Sequence, residues 1–120
     1  MTDERLRVLI YHLRDIAAEI AAFVGTTTQE NVHANLFAER GLIMSLYMIA
    51  DLATRMQTEH PDFVASLPEV PWRDIRGLRN RVAHGYFEID IDIVWRAAVS
   101  DVPSLAKVLV DTLASPHTGT

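Results

Sequence analysis

The chain has 120 residues, of which 49% are apolar, and this length and composition indicate a single globular domain spanning residues 1–120. It carries a formal net charge of −5 and contains no cysteine, which excludes disulfides, cysteine-ligated zinc and a thiol nucleophile. The longest apolar run, residues 41–50, is shorter than the roughly 20 residues of a membrane span, and charged residues interrupt any leader pattern at the start, so we expect a soluble, cytoplasmic protein.

Apolar residues recur at three- and four-residue steps near the start of the chain, which predicts an amphipathic first helix. Its apolar positions are Leu6, Leu9, Leu13, Ile16, Ile20 and Phe23. Asp3 can cap this helix and Gly25 can end it. The three threonines at residues 26–28 then indicate a loop.

A long second helix begins between Glu30 and Leu36 and runs to about Gln57. Its centre is apolar nearly all round, so we expect other helices or a partner chain to cover more than one of its sides. Gly41 lowers its helix propensity and would allow a close approach of another helix. Three methionines at helical spacing are expected to make core or dimer contacts: Met44, Met48 and Met56.

Three prolines mark residues 60–71 as a connection that contains a short helical turn. Pro71 then opens a third helix over residues 72–84, and Gly85 is placed as its left-handed stop. The inward face of this helix is predicted to comprise Ile75, Leu78 and Val82.

Residues 88–93 alternate polar and apolar side chains, but no second strand exists to pair with them. We therefore expect a loop in which Asp90 or Asp92 caps a fourth helix over residues 93–100. A last helix opens at Asp101 or Pro103 and ends near Leu113, and the tail at residues 115–120 is expected to be disordered. The predicted fold is an all-α, up-and-down bundle of four main helices plus a short one.

Positive charge is concentrated on the third helix. Residues 72–86 contain four arginines and one aspartate, a local charge of 4 − 1 = +3, so the rest of the chain sums to −5 − 3 = −8. Within them lies His84, a residue type that exchanges protons near neutral pH. This combination predicts an anion as ligand, with RNA as the leading candidate, because an imidazole can take the proton of a ribose 2′-hydroxyl. No cluster of carboxylates converges here to hold magnesium, so we expect a metal-independent reaction.

At about 100° per residue, one face of the third helix carries most of the candidate ligands. This face comprises Arg73, Arg76, Asn80 and His84, and it is flanked by Arg79 and Arg81. Arg79 and His84 lie about 140° apart, which is poor geometry for a side-by-side pair. A bend at Gly85 could bring them closer, or a second copy of the helix across a dimer axis could form a composite cleft with them.

The motif resembles that of the HEPN superfamily, and most closely the HepT-like toxins of bacterial and archaeal toxin–antitoxin pairs. The resemblance extends over most of the chain and rests on Arg79-x-x-x-x-His84-x-Tyr86, with Pro71-Trp72 before it and Ile89-Asp90 and Val94-Trp95 after it. It implies a HEPN-like helical bundle. It also implies a metal-independent endoribonuclease without a cofactor, which acts as a homodimer or in a larger assembly.

The resemblance also assigns roles to single residues. It makes Arg79 and His84 the catalytic pair and Asn80 a polar helper. The charged stripe itself, and not the resemblance, makes three further arginines candidates for RNA contact, and such a stripe could also be a solvated face: Arg73, Arg76 and Arg81. It implies a partner as well, an MntA-like nucleotidyltransferase antitoxin that attaches AMP to the tyrosine matching Tyr86. A bulky anion at that position would block RNA and neutralise the arginines.

Other interpretations stay open. His84 could be a structural histidine bonded to a loop carbonyl, and Tyr86 could be a packed core aromatic. Arg79 could pair with a nearby acid among Glu88, Asp90 and Asp92. The same helices could instead form a non-catalytic nucleotide- or substrate-binding partner subunit of a minimal nucleotidyltransferase, or an interaction protein that dimerises through its apolar second helix.

Overall fold

The structure, a computed structural model, describes residues 4–114 apart from the side chains of Tyr86 and Ala114. These residues form helices and turns with no strand among them, which confirms the predicted all-α fold. Within the same residues, no helix combines the length and apolar character needed to cross a bilayer. The predicted cap at Asp3 and the predicted disorder of residues 115–120 lie outside the described residues.

The first three helices follow the apolar pattern of the sequence, with one unexpected break. Helix α1 spans Glu4–Val24, α2 spans Gln29–Ala34 and α3 spans Leu36–Glu59. The break falls at Asn35, whose extended backbone (φ −115°, ψ 107°) ends α2. The Asn35 side chain accepts hydrogen bonds from the N–H groups of Phe37 and Ala38, which makes it the N-cap of α3.

The connection and the third predicted helix are confirmed in outline. Helix α4, Pro61–Ala65, is the short turn of the proline-rich connection, and α5 spans Trp72–Gly85. The indole N–H of Trp72 donates to the carbonyl of Leu67 at 3.0 Å, which anchors the start of α5. The predicted left-handed stop is wrong, because the φ of Gly85 lies outside that region. The helix ends by tightening into a 3₁₀ turn, Tyr86–Glu88.

The two last predicted helices are continuous in the structure. Asp90 caps α6, Ile91–Arg96, by accepting the N–H of Asp92 at 2.8 Å, so the predicted cap is correct. A π-helical segment, Ala97–Asp101, then joins α6 directly to α7, Val102–Ala114. Proline within a helix lacks an N–H and clashes with the carbonyl four residues earlier. The wider π turn before Pro103 accommodates that clash, so the chain does not need to break there.

The long helices pack as a bundle in which α3 contacts both α1 and α5, and α1 also contacts α7. Helices α3 and α5 are antiparallel, since Gln57 meets Trp72 while Asp51 meets Arg79. The fully buried side chains include Ile10, Leu13, Leu46, Met56 and Leu109. Each contributes about 1.5–3 kcal/mol relative to an exposed position, and this core holds α5 in place.

Candidate active site

The core contacts of α5 determine which of its side chains face solvent. Val82 is buried, and Ile75 and Leu78 are half-buried against the core, as the sequence predicts. Because α5 turns about 100° per residue, residues on the opposite side must point outward. The exposed side chains there are Arg73, Arg76, Asn80, Arg81 and His84. The arginine-rich face is therefore accessible to a ligand.

His84 lies in the last turn of α5 and is exposed. Among the described residues, no hydrogen bond joins its ring to a loop carbonyl, which is the structural role that one interpretation of the sequence gave it. An exposed imidazole at this position can exchange a proton with a ligand that approaches from solvent.

Arg79 occupies a different environment, in the seam between α3 and α5. Its side chain is only 35% exposed, and its Nε lies 3.6 Å from Oδ1 of Asp51 on α3. Its Nη1 donates to the side-chain oxygen of the neighbouring Asn80 at 3.4 Å. The Nε itself is buried without a hydrogen-bond partner among the residues that the structure describes. The charge of Asp51 therefore holds Arg79 in place, and the guanidinium keeps N–H groups that can donate further hydrogen bonds.

Asp51 is the residue of this site that sequence reasoning missed. The expected acids for Arg79 were Glu88, Asp90 and Asp92, and the structure supplies one from another helix instead. Asp51 also contacts Arg55, whose Nε lies 3.5 Å from its Oδ2, so one carboxylate lies between two guanidinium groups. One feature of the sequence could have pointed to this contact, because Asp51 is the only carboxylate between residues 40 and 58.

We expect Asp51→Asn to lower the free energy of unfolding by about 1 kcal/mol, because it leaves the half-buried guanidinium of Arg79 without its counter-charge. In a domain of this size, that loss corresponds to a fall in Tm of about 4 °C, measurable by thermal unfolding. Asp15→Asn is the matched control, since Asp15 pairs with Arg14 in an exposed contact and should leave Tm nearly unchanged. Equal Tm values for the two variants would contradict the role assigned to Asp51.

Arg76 is also tied to α3. Its guanidinium donates to Oε1 of Gln57, and the amide of Gln57 in turn donates to the carbonyl of Trp72 at 3.2 Å. Gln57 therefore links the start of α5 to the end of α3. Arg76 stays exposed, so this link positions its charge without removing it from solvent.

Arg73 and Arg81 lie on the rim of a groove between α5 and α7, with a volume of about 620 Å³. Its apolar floor includes Leu46, Ile49 and Ala50 of α3, and three carboxylates share the rim: Glu69, Asp74 and Asp101. Neither Arg79 nor His84 lines this groove. This groove and the predicted catalytic pair therefore lie in different places.

The structure does not bring Arg79 and His84 together within one chain. Arg79 points into the α3–α5 seam, whereas His84 lies on the outer face of α5, in keeping with the angle of about 140° between them. Among the described side chains, no hydrogen bond or ion pair joins the two. Tyr86 begins the 3₁₀ turn directly after α5, and its side chain lies outside the described part of the structure. Across residues 4–114, no three His, Asp or Glu side chains are grouped so as to hold a metal ion.

Comparisons with known proteins point to one family. The family model described as "Ribonuclease HepT-like" matches residues 13–111, which include all of α3 and α5. "Putative RNase MJ1380" of Methanocaldococcus jannaschii is 26% identical over 107 residues, covering 89% of this chain and 95% of that protein. "Probable ribonuclease HepT" of Thermococcus cleftensis is 28% identical over 98 residues, covering 78% of this chain and 86% of that protein. No solved structure gives a significant match.

Proposed function

Because the chain belongs to the ribonuclease HepT-like family, we propose that it is a metal-independent endoribonuclease and the toxin of a toxin–antitoxin pair. The observation that carries this proposal is the exposed His84 on an arginine-rich helix face of an otherwise acidic chain. Such a face attracts a phosphate backbone locally, while the net charge of −5 opposes indiscriminate coating of nucleic acid.

In the proposed reaction, the imidazole of His84 takes the proton of a ribose 2′-hydroxyl. The 2′-oxygen forms a bond to the adjacent phosphorus, and the bond from phosphorus to the 5′-oxygen breaks. The departing 5′-oxygen takes a proton from solvent water, and the imidazolium of His84 returns its proton to solvent, so the products carry a 2′,3′-cyclic phosphate and a 5′-hydroxyl. The guanidinium of Arg79 stabilises the negative charge that builds on the phosphoryl oxygens, and Asn80 supports Arg79 through their hydrogen bond.

A homodimer would complete this site. Arg79 and His84 diverge within one chain, so we propose that the cleft forms where the α5 helices of two copies face each other. Such a cleft would contain two imidazoles and two sets of arginines. The remaining basic residues of this face are proposed to contact the RNA backbone: Arg73, Arg76 and Arg81.

The test is cleavage of labelled RNA by the purified protein in EDTA, beside DNA of the same sequence. We expect RNA to be cut to products ending in a 2′,3′-cyclic phosphate, and DNA to stay intact because it lacks the 2′-hydroxyl. Equal cleavage of DNA, or activity that EDTA abolishes, would contradict the proposal.

Regulation is proposed to act through Tyr86. Its position two residues after His84 and directly after α5 favours a role beside the cleft. An MntA-like nucleotidyltransferase would direct the tyrosine oxygen onto the α-phosphate of ATP, releasing pyrophosphate and leaving AMP on Tyr86. The added phosphate would neutralise nearby arginines, and the nucleoside would occupy the space that RNA needs.

We expect the protein co-expressed with such a nucleotidyltransferase to gain the mass of AMP and to lose RNA cleavage. Tyr86→Phe lacks the acceptor oxygen, so it should gain no mass and stay active beside the partner. Tyr11→Phe, which removes a hydroxyl from α1, is the matched control and should be modified like the wild type. Intact-mass spectrometry reports the modification, and transfer of AMP to Tyr86→Phe would refute the assignment.

The second candidate is a non-catalytic nucleotide-binding partner subunit of a nucleotidyltransferase. The groove between α5 and α7 favours it, because a volume of about 620 Å³ suits a small ligand and Arg73 and Arg81 could reach its phosphates. The three carboxylates on the same rim repel phosphate and weigh against it. Saturable ATP binding without RNA cleavage at high protein concentration would favour this candidate.

A further inference from the structure

The groove between α5 and α7 has helical walls and an apolar floor. One wall is α5, the other is the continuous helix formed by α6, the π-helical segment and α7, and α3 lies beneath. The lining part of α5, residues 73–81, is about 12 Å long, and that of the opposite wall, residues 93–108, is about 20 Å long. Four apolar side chains of these walls are only half-buried, so they still expose apolar surface: Ile75, Leu78, Ile93 and Val108. A groove of this shape fits roughly two to four turns of helix.

Gly77 lies in the middle of the α5 wall and leaves it low at that point. It is four residues from both Arg73 and Arg81, so the three residues lie on one side of the helix. A Cβ at Gly77 would meet no atom of the described residues within 4 Å, so their packing does not require glycine there. Glycine also disfavours a helix interior. The backbone of α5 is therefore open to close approach by an occupant of the groove, at a position where the stability of the helix favours a larger residue.

The charges on the rim of the groove differ between its two ends. The end near the start of α5 carries Glu69, Arg73 and Asp74, which give it a net charge of −1. Arg81 lies about 12 Å beyond Arg73 along α5 and places a positive charge at the other end, while the opposite wall adds Asp101. All five are exposed, and their side chains make no ion pair or hydrogen bond with any other described residue. An occupant that is basic at the first end and acidic at the second would complement this rim.

We propose that this groove is a docking site for an amphipathic helix of another protein. The docked helix covers the half-buried side chains of both walls with its apolar stripe, and its backbone passes closest to α5 at Gly77. Beside the stripe it carries an acidic residue that meets Arg81 and, seven positions away, a basic residue that meets Asp74. Residues seven positions apart lie on the same side of a helix and about 10 Å apart along it, which matches the spacing of Asp74 and Arg81. The inference goes beyond the proposed function, since neither Arg79 nor His84 lines the groove.

The rim charges favour a helix over nucleic acid or a nucleotide inside the groove. The charged residues that line it, two arginines and three carboxylates, give a net charge of −1. A phosphate group inside the groove would meet this net negative charge and an apolar floor, neither of which binds phosphate. An amphipathic helix satisfies its own backbone hydrogen bonds and presents apolar side chains that such a floor can cover. Arg73 and Arg81 are exposed, so they stay accessible to RNA from outside the groove.

The probe is a stapled helical peptide of about 15 residues with a fluorescent label, because an unconstrained helix of this length is marginal in water. It carries leucines along one stripe, with a glutamate and a lysine seven positions apart beside the stripe. Both orders of the two charges are measured, since a helix can enter the groove in either direction. Fluorescence anisotropy with the full chain should show saturable binding, at least about tenfold tighter than that of a peptide of the same composition whose leucines are spread round the helix. No binding, or equal affinity for the two peptides, would overturn the proposal.

Gly77→Leu places a side chain where the docked helix passes, so it should weaken binding of the stapled peptide by at least about tenfold. Gly41→Leu is the matched control, because Gly41 is also a helical glycine whose Cβ would meet no described atom within 4 Å, but it lies on α3 and outside the groove. Leucine favours a helix more than glycine does, so neither variant should lower the Tm. Gly77→Ala fills less of the space and should weaken binding less. Equal peptide affinity of the two leucine variants would refute the close approach at Gly77.

Arg81→Glu should weaken binding of the peptide by about three- to tenfold, more at low than at high ionic strength, because it opposes the glutamate of the peptide with a like charge. A peptide with lysine in place of that glutamate should recover the affinity for this variant. Arg76→Glu is the matched control, since Arg76 is also exposed on α5 but does not line the groove. Equal losses in the two variants, or no recovery with the lysine peptide, would contradict the proposed charge contact.

The glycine variants also separate the other possible occupants of the groove. ATP and a 2′-O-methyl RNA oligonucleotide, which lacks the free 2′-hydroxyl that cleavage needs, are measured in place of the peptide. Neither should bind Gly77→Leu more weakly than Gly41→Leu. A selective loss for either ligand would assign the groove to a phosphate compound and overturn the docking of a helix. RNA cleavage is no part of this readout, so the nuclease can fail without changing these results, and peptide binding can fail while cleavage stays intact.

Discussion

His84→Ala is expected to slow RNA cleavage by about 10²- to 10⁴-fold, the usual contribution of a positioned general base. The imidazole is exposed on the last turn of α5 and contributes nothing to the buried core. Its removal should therefore change the free energy of unfolding by no more than about 0.5 kcal/mol. Single-turnover cleavage of labelled RNA in EDTA measures the first quantity, and thermal unfolding measures the second.

His12→Ala is the matched control, because His12 is likewise an exposed helical histidine but lies on α1. It should leave both quantities at their wild-type values. If the two variants cleave RNA at the same rate, His84 is not the base. If His84→Ala unfolds instead, the exposed imidazole has a structural role that its surroundings do not indicate.

Most of the helices could be predicted from the sequence because apolar residues recur in it at regular helical spacing. The inward residues of α5 are where the pattern places them, and Asp90 caps α6 as predicted. The breaks were harder to predict. Asn35 separates α2 from α3 through its own side-chain cap, although the flanking residues are compatible with one continuous helix. The opposite occurs at Pro103. The sequence predicts that a helix starts near this proline, but a π turn lets the preceding helix continue through it.

The candidate site was predictable only to the extent that it lies on one helix. The angle between Arg79 and His84 follows from helix geometry alone, and the structure keeps them apart. The contact with Asp51 depends on how α3 and α5 are aligned, which no local pattern encodes. The sequence also predicted cover on more than one side of α3, yet one chain leaves Phe37, Met44 and Met48 exposed.

Arg79→Ala is expected to reduce RNA cleavage by about 10²- to 10³-fold, the loss seen when a preorganised donor to a developing charge is removed. The preorganisation comes from Asp51, which holds the guanidinium in the seam through Nε, while the Nη groups keep donor capacity beyond the hydrogen bond to Asn80. Arg79→Lys keeps the charge but loses the planar fork, so it should restore only part of the rate. Single-turnover kinetics at saturating protein separates this loss from weaker RNA binding.

Arg55→Ala is the control that distinguishes a role of the Arg79 guanidinium from a role of Asp51, the carboxylate that holds it. Arg55 contacts the same carboxylate, at 3.5 Å, but its side chain is 58% exposed and it lies on α3. Its removal leaves Asp51 free to bind Arg79 more closely, so cleavage should be unchanged or slightly faster. If Arg55→Ala and Arg79→Ala lose activity equally, the ion-pair cluster of Asp51 with its two arginines is required as a whole, and Arg79 does not act on the phosphate itself.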